Sequence, residues 1–225
     1  MPFPGLKALT VGVVATLILF WLGDVPAADR DISRYPSRSD PIRVDLPHKQ
    51  ILIYTEVNLQ TLYQAKPHWG VVYQGGQLSS KAILKAHCTT EEFHYALIRI
   101  GAKPGNNLTL DSSGTFVNGD ELSVWVTWPG LPDPLSLSDI LEDSTGKGFR
   151  IRFGGNRQRA VEEQTGCLTC LESCPIGITS NAAYPAIRSW QRFWAPNSLF
   201  KGKTEILAPR KDGPIILIYQ LRGRH

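Results

Sequence analysis

Three cysteines fall within the string GCLTCLESCP, at Cys167, Cys170 and Cys174. Any fold this chain adopts has to provide one place for three thiols, because so short a tether cannot send them far apart. Thiols this close form a disulfide, hold a metal or carry a cluster. The fourth cysteine, Cys88, stands 167 − 88 = 79 positions earlier. Four is an even number, so two disulfides are arithmetically available in an oxidising compartment.

The N-terminus bears on that compartment. One cation, Lys7, precedes an uninterrupted apolar run of 15 residues from Ala8 to Leu22. That length suits the core of a signal peptide and is short for a membrane span. Val25, Pro26 and Ala27 supply a small-residue cleavage pattern. Residues 1–27 therefore read as a signal peptide, with an uncleaved N-terminal anchor through residues 8–22 as the alternative. The expected location is exported, periplasmic or otherwise extracytoplasmic. Membrane contact is expected only through the N-terminal segment, if it stays uncleaved. No twin-arginine pair precedes the run, which argues against export of a folded protein already holding a cluster.

Cleavage after Ala27 leaves 225 − 27 = 198 residues, enough for one sizeable core. The net charge of +4 and 20% charged residues describe an ordinary folded domain. The basic residues do not form a run, so a mildly basic solvated surface follows, and no nucleic-acid motif is present.

Residues 28–49 are polar, hold Pro36, Pro41 and Pro47, and read as an extended arm. In QILIYTEV, Ile51, Ile53 and Val57 share one face, which is a strand pattern. Trp69–Tyr73, Ala82–Ala86, Glu121–Trp128, Phe149–Phe153 and Ile215–Leu221 read as further strands. Thr89 followed by Glu92 makes a capping box, and Phe93, Leu97 and Ile100 recur at helical spacing. Gly101, Pro104 and Gly105 end that helix. The sum is a single strand-rich α+β domain over residues 50–225. Its expected parts are a mixed or mainly antiparallel sheet, one well-capped helix and a cysteine loop late in the chain.

The closing part of the motif, C-x3-C-P, ends the cysteine run of bacterial ferredoxins, but the first cysteine of that run falls here on Gln164. The motif is one thiolate short of a cubane. GCLTCLESCPIGITSNAAYP, with HYALIRIGAKPG (His94–Gly105) and DELSVWVTW, resembles the YdjY-type domain of small exported bacterial proteins. The resemblance covers roughly residues 50–221. It implies a ferredoxin-like cysteine string without an established molecular activity. It also implies a His-Glu pair ahead of the strand before the helix, where this chain has Ser80 and Lys81.

The candidate redox or metal residues are Cys167, Cys170, Cys174 and Cys88. A cluster would need Cys88 as a distant fourth ligand, or an open iron; zinc would take the three cysteines and one histidine. A Cys167–Cys170 redox pair, or a structural bridge to Cys88, needs no cofactor. His94, Asn181 and Tyr184 are auxiliary candidates; His94 equally reads as a core-edge histidine. In RSWQRFW, Trp190, Arg192 and Trp194 form a candidate interaction surface, or an aromatic face packed on the sheet. No hydrolase pattern, acid–base pair or cofactor loop is visible, which leans away from an enzyme. The function expected is an exported small protein with a redox, metal or iron–sulfur site and an unidentified protein or redox partner. The alternative is a non-catalytic interaction module whose cysteines only staple the structure.

Overall fold

The computed structural model describes residue 1 and residues 35–63, 69–187 and 199–223. The N-terminal apolar segment, residues 28–34 of the arm, and Trp190, Arg192 and Trp194 lie outside the described residues. Among the described residues, no helix is long and apolar enough to cross a membrane.

The alternating run Gln50–Val57 forms β2, with every second residue from Ile51 to Val57 buried. β1 (Ile42–Asp45), within the stretch that reads as an arm, folds back on β2 as an antiparallel partner. β3 (Trp69–Tyr73) and β4 (Leu84–Ala86) follow, then β5 (Glu121–Thr127), β6 (Leu135–Ser136) and β7 (Leu141–Asp143). β8 (Ile151–Phe153), β9 (Cys167–Cys170), β10 (Thr179–Asn181), β11 (Phe200–Gly202) and β12 (Ile215–Leu221) complete the strands.

The expectation of an α+β domain with an ordinary sheet is overturned by how these strands pair. Their order runs β2-β12-β5-β8-β10-β9-β3-β4, and β4 pairs back with β2. The sheet closes into an eight-stranded barrel, with β1 and β6 paired outside the ring. Closure leaves no free edge in the ring itself, and the inward side chains fill the lumen of a barrel this small. Two pairings are parallel, β3–β4 and β9–β10; the other six around the ring are antiparallel. β7 and β11 make a separate two-stranded ribbon.

The capped helix is α2 (Thr90–Arg99), preceded by a short α1 (Leu59–Leu62). It is not alone. α3 (Leu137–Ile140), α4 (Arg157–Glu163) and α5 (Thr204–Leu207) are short helices between strands. In α2, Thr89 Oγ1 accepts from the Glu92 amide at 3.2 Å while the Glu92 carboxylate accepts from the Thr89 amide at 2.7 Å. The helix turns Phe93, Ala96 and Leu97 into the core. Phe93 meets Tyr219 edge to face at 4.9 Å between ring centroids. Tyr219, on β12, reaches across the lumen to the opposite wall, where its hydroxyl lies 2.7 Å from Thr169 Oγ1 on β9. Thr169 in turn lies 2.8 Å from Thr179 Oγ1 on β10. This buried seam satisfies three hydroxyls in the interior.

Candidate functional site

The cysteine segment is not a loop. Cys167–Cys170 is strand β9 in the barrel wall, between β3 and β10. In a regular strand, residues 167 and 170 would face opposite sides, because side chains alternate. The register with β3 pairs Trp69 with Cys170, Val71 with Thr169 and Val72 with Cys167. Leu168 therefore has no opposite residue on β3, and Gly70 has none on β9. The extra residue on β9 resets the alternation, as a bulge does. Leu168 packs into the main core and Thr169 points across the lumen. Cys167 and Cys170 are left together in a second cluster with Trp69, Val72, Ala82 and Cys174.

Within that cluster the Cys170 thiol lies in hydrogen-bonding reach of both Cys167 and Cys174. Those two neighbouring thiols, and then burial, hold Cys170 well above the usual thiol range. The three residues are 2%, 0% and 3% exposed, in chain order, so water does not reach the sulfurs. No disulfide joins any of the four cysteines.

Two segments cover the patch. On one side, residues 74–82 carry Leu78 and Ala82 against it. That segment is pinned to the residues just ahead of β9, with the Gln77 amide donating to Gln164 O at 3.0 Å and the Leu78 amide to Thr165 O at 3.2 Å. On the other side is the turn Cys174–Gly177, which carries Ile176 against the sulfurs. A Cβ on Gly177 would lie 2.7 Å from Cys170 Sγ, so only glycine lets the backbone approach this closely. The turn is held by Asn156, whose Nδ2 donates to Cys174 O at 3.0 Å and Gly177 O at 3.1 Å. Arg159 Nη1 donates to Pro175 O at 3.3 Å.

The family model for the YdjY domain matches residues 42–220. The chain belongs to the YdjY family. A relative from Escherichia coli (strain K12), described as "Uncharacterized protein YdjY", is 38% identical over 149 residues, which is 66% of each chain. The match thus spans just under two thirds of that relative's length. No solved structure matches the chain. The matched residues take in all eight barrel strands except Leu221, so the sulfur patch is part of the YdjY domain itself.

The fourth cysteine of this YdjY domain is elsewhere. Cys88 belongs to the main core and not to the sulfur cluster. Burial, and next the Glu92 carboxylate, push its thiol far up. The auxiliary candidates are also engaged away from the sulfurs. Asn181 is fully buried and holds its own chain: Oδ1 accepts from the Arg150 and Ala183 amides at 2.8 and 3.0 Å, and Nδ2 donates to Gly148 O at 3.0 Å. The Tyr184 hydroxyl donates to Asp143 at 2.5 Å and also meets Thr145. His94 packs against Phe153 and borders a different, polar pocket. Ser80 and Lys81, which stand where the resemblance implies a His-Glu pair, sit on the 3-10 turn beside Ala82, and Lys81 Nζ lies 5.3 Å from the Trp69 ring centre.

A cubane does not fit these residues. It needs four thiolates, and the nearest extra cysteine is in the other core. It also needs space around the sulfurs, which Gly177 and the apolar walls occupy. Zinc would need a fourth ligand, and among the described residues no set of three or more His, Cys, Asp or Glu side chains is arranged to hold a metal ion as it stands. What the arrangement offers chemically is a central sulfur with a neighbour on either side.

Sequence reading missed most of the site's walls. Trp69 and Val72 sit in an ordinary strand pattern that does not announce which face they serve. Asn156 caps α4 and Arg159 lies on it, and Gly154-Gly155 conceals that helix as a mere strand end. Its signal was the helix-forming run RQRAVEE.

Proposed function

We propose that this chain is an exported thiol–disulfide protein in which Cys170 is the central sulfur. The observation that carries the reading is the convergence of three thiols on Cys170, produced by a strand irregularity that a purely structural wall would not require. In the reaction, Cys170 and one neighbouring thiol exchange with a protein disulfide of a partner. One S–S bond forms here and one breaks there; two protons and two electrons leave on the partner's two thiols. The third sulfur stays available to attack the new bond, which shifts the disulfide within the triplet without changing its oxidation state; reduction back to three thiols takes a partner's dithiol. Export rests on the N-terminal apolar run and its small-residue end.

A second reading has its own support. Complete burial and a raised thiol pKa are the marks of inert structural cysteines. On that view the domain is an interaction module and the sulfurs only fill the wall.

One experiment separates them. The protein, oxidised with a disulfide donor, is denatured without reductant and its thiols are counted with Ellman's reagent. The redox reading expects two of the four thiols to react, and three in Cys170→Ser. Four reactive thiols in the unaltered chain would leave the module as the working description.

A further inference from the structure

The thiols are sealed, so any chemistry at them requires the cover to move. The cover over Cys170 is the turn Cys174–Gly177, and three of its carbonyls are held from the start of α4: two by its N-cap Asn156 and a third by Arg159. Both restraining residues also line a polar pocket of about 540 Å³, with His94, Asn106, Arg157 and Glu162.

That pocket has the chemistry of an oxyanion site. Arg159 is half-buried, forms no ion pair among the described residues, and has only carbonyl partners, at 3.3 Å and 3.4 Å. Long bonds to neutral oxygens are poor use of a guanidinium, which pairs best with a carboxylate or phosphate. Arg157 stands beside it, bridged to Glu91 at 2.7 Å on the rim. His94 Nδ1 is buried with no hydrogen-bond partner. Glu162 is the one opposing carboxylate in the lining, and its Oε1 already accepts from Gln158 at 2.9 Å. Two residues of the lining, Asn106 and Asn156, are in left-handed backbone conformations, with φ of 47° and 48°, and are tied together by the Asn156 amide donating to Asn106 Oδ1 at 3.1 Å.

We propose that this pocket binds an oxyanion, and that the bound anion draws Arg159 off the Cys174–Gly177 turn and so opens the sulfur site. Ligand and thiol access are coupled because one side chain serves both. The proposal deepens the thiol reading and rests on it for its biological purpose, but its physical content is tested on reduced protein.

The test is native-state alkylation of the full, reduced protein with iodoacetamide, read per cysteine by peptide mass. Cys88 is the internal control, since it is buried in the other core and lies under neither restraint. Asn156→Gly keeps a residue that accepts the left-handed conformation and removes the amide. It is expected to speed labelling of Cys170 and Cys174 about tenfold, the factor that accompanies loss of one or two hydrogen bonds, and to leave Cys88 unchanged. Arg159→Gln is expected to do the same more weakly. Inorganic phosphate, added at constant ionic strength, should speed cluster labelling in the unaltered protein and do nothing further in Arg159→Gln. Unchanged labelling in both variants overturns the latch, as does a parallel rise at Cys88, which reports general loosening. No phosphate effect on the unaltered protein overturns the anion site. A count of four thiols after oxidation, by contrast, removes the redox purpose and leaves these rates standing.

Discussion

The domain carries two kinds of cysteine in one barrel. Cys88 sits in the main core beneath α2, among large apolar side chains, with no sulfur neighbour. Cys167, Cys170 and Cys174 sit in a separate small cluster, meet at Cys170, and are covered by two pinned segments. Burial is equal in the two places, so burial alone does not distinguish a filler from a candidate site. What differs is how the backbone behaves. Around Cys88 the chain is regular, passing from β4 into a capped helix. Around the triplet it departs from regularity at Leu168 and Gly70, and the departure is what lets two sulfurs on one strand share a face.

The sharpest way to break this comparison is to damage one region and watch the other. Phe93→Ala empties a fully buried aromatic position beside Tyr219 and should destabilise the domain by about 3–5 kcal/mol in urea unfolding. If the barrel is one cooperative unit, the cluster thiols become alkylatable at the same urea concentration as Cys88. Gly177→Ala acts on the sulfur wall alone. Its Cβ would meet Cys170 Sγ at 2.7 Å, and overpacking of this kind costs about 1–3 kcal/mol. We expect faster labelling of Cys170 with Cys88 unaffected; equal labelling of both would merge the two regions. Thr89→Ala removes the cap of α2 and should cost about 1 kcal/mol, read as a lower urea midpoint, with the sulfur cluster's native labelling unchanged.

Proton titration gives the smallest effects. The thiols of Cys170 and Cys88 are both pushed up, the first chiefly by its sulfur neighbours and the second by burial. Alkylation at either should therefore keep climbing past pH 9.0, the ordinary thiol value, instead of levelling there. His94 is held below its ordinary value, first by burial and then by Arg157. The folded state thus prefers the neutral ring. Stability is unaffected above pH 6.5 and declines as pH falls from there toward the lowered folded value, because the unfolded chain takes up the proton first. His94→Gln should remove that part of the acid slope in thermal unfolding between the two values, and an unchanged slope would show that His94 does not contribute to it.

Much of the wall could be read from residues alone. Ile51, Ile53 and Val57 alternate over a strand long enough to be unambiguous, and Thr89 with Glu92 marks the start of α2 by local chemistry. Closure of the barrel could not be read, because it depends on pairings between distant short strands. β8, β9 and β10 have three or four residues each, and the parallel β9–β10 contact leaves no turn signature. The sulfur triplet was legible as a spacing, but its placement was not. Counting by twos from Cys167 separates it from Cys170, and the extra residue that reunites them is a leucine, which no turn or breaker rule flags. The restraint by Asn156 was hidden for a similar reason: its left-handed backbone belongs to a helix start that follows two glycines.

The ring order has a temporal side. β12, the last in chain order of the described strands, is the stave inserted between β2, the first in the hoop, and β5. A nascent chain holds every other stave and still cannot close, since its two longest neighbours have no partner between them until residues 215–221 emerge. Completion of this domain therefore waits on β12, and a chain cut short before those few residues would present two open sheet margins to whatever it meets.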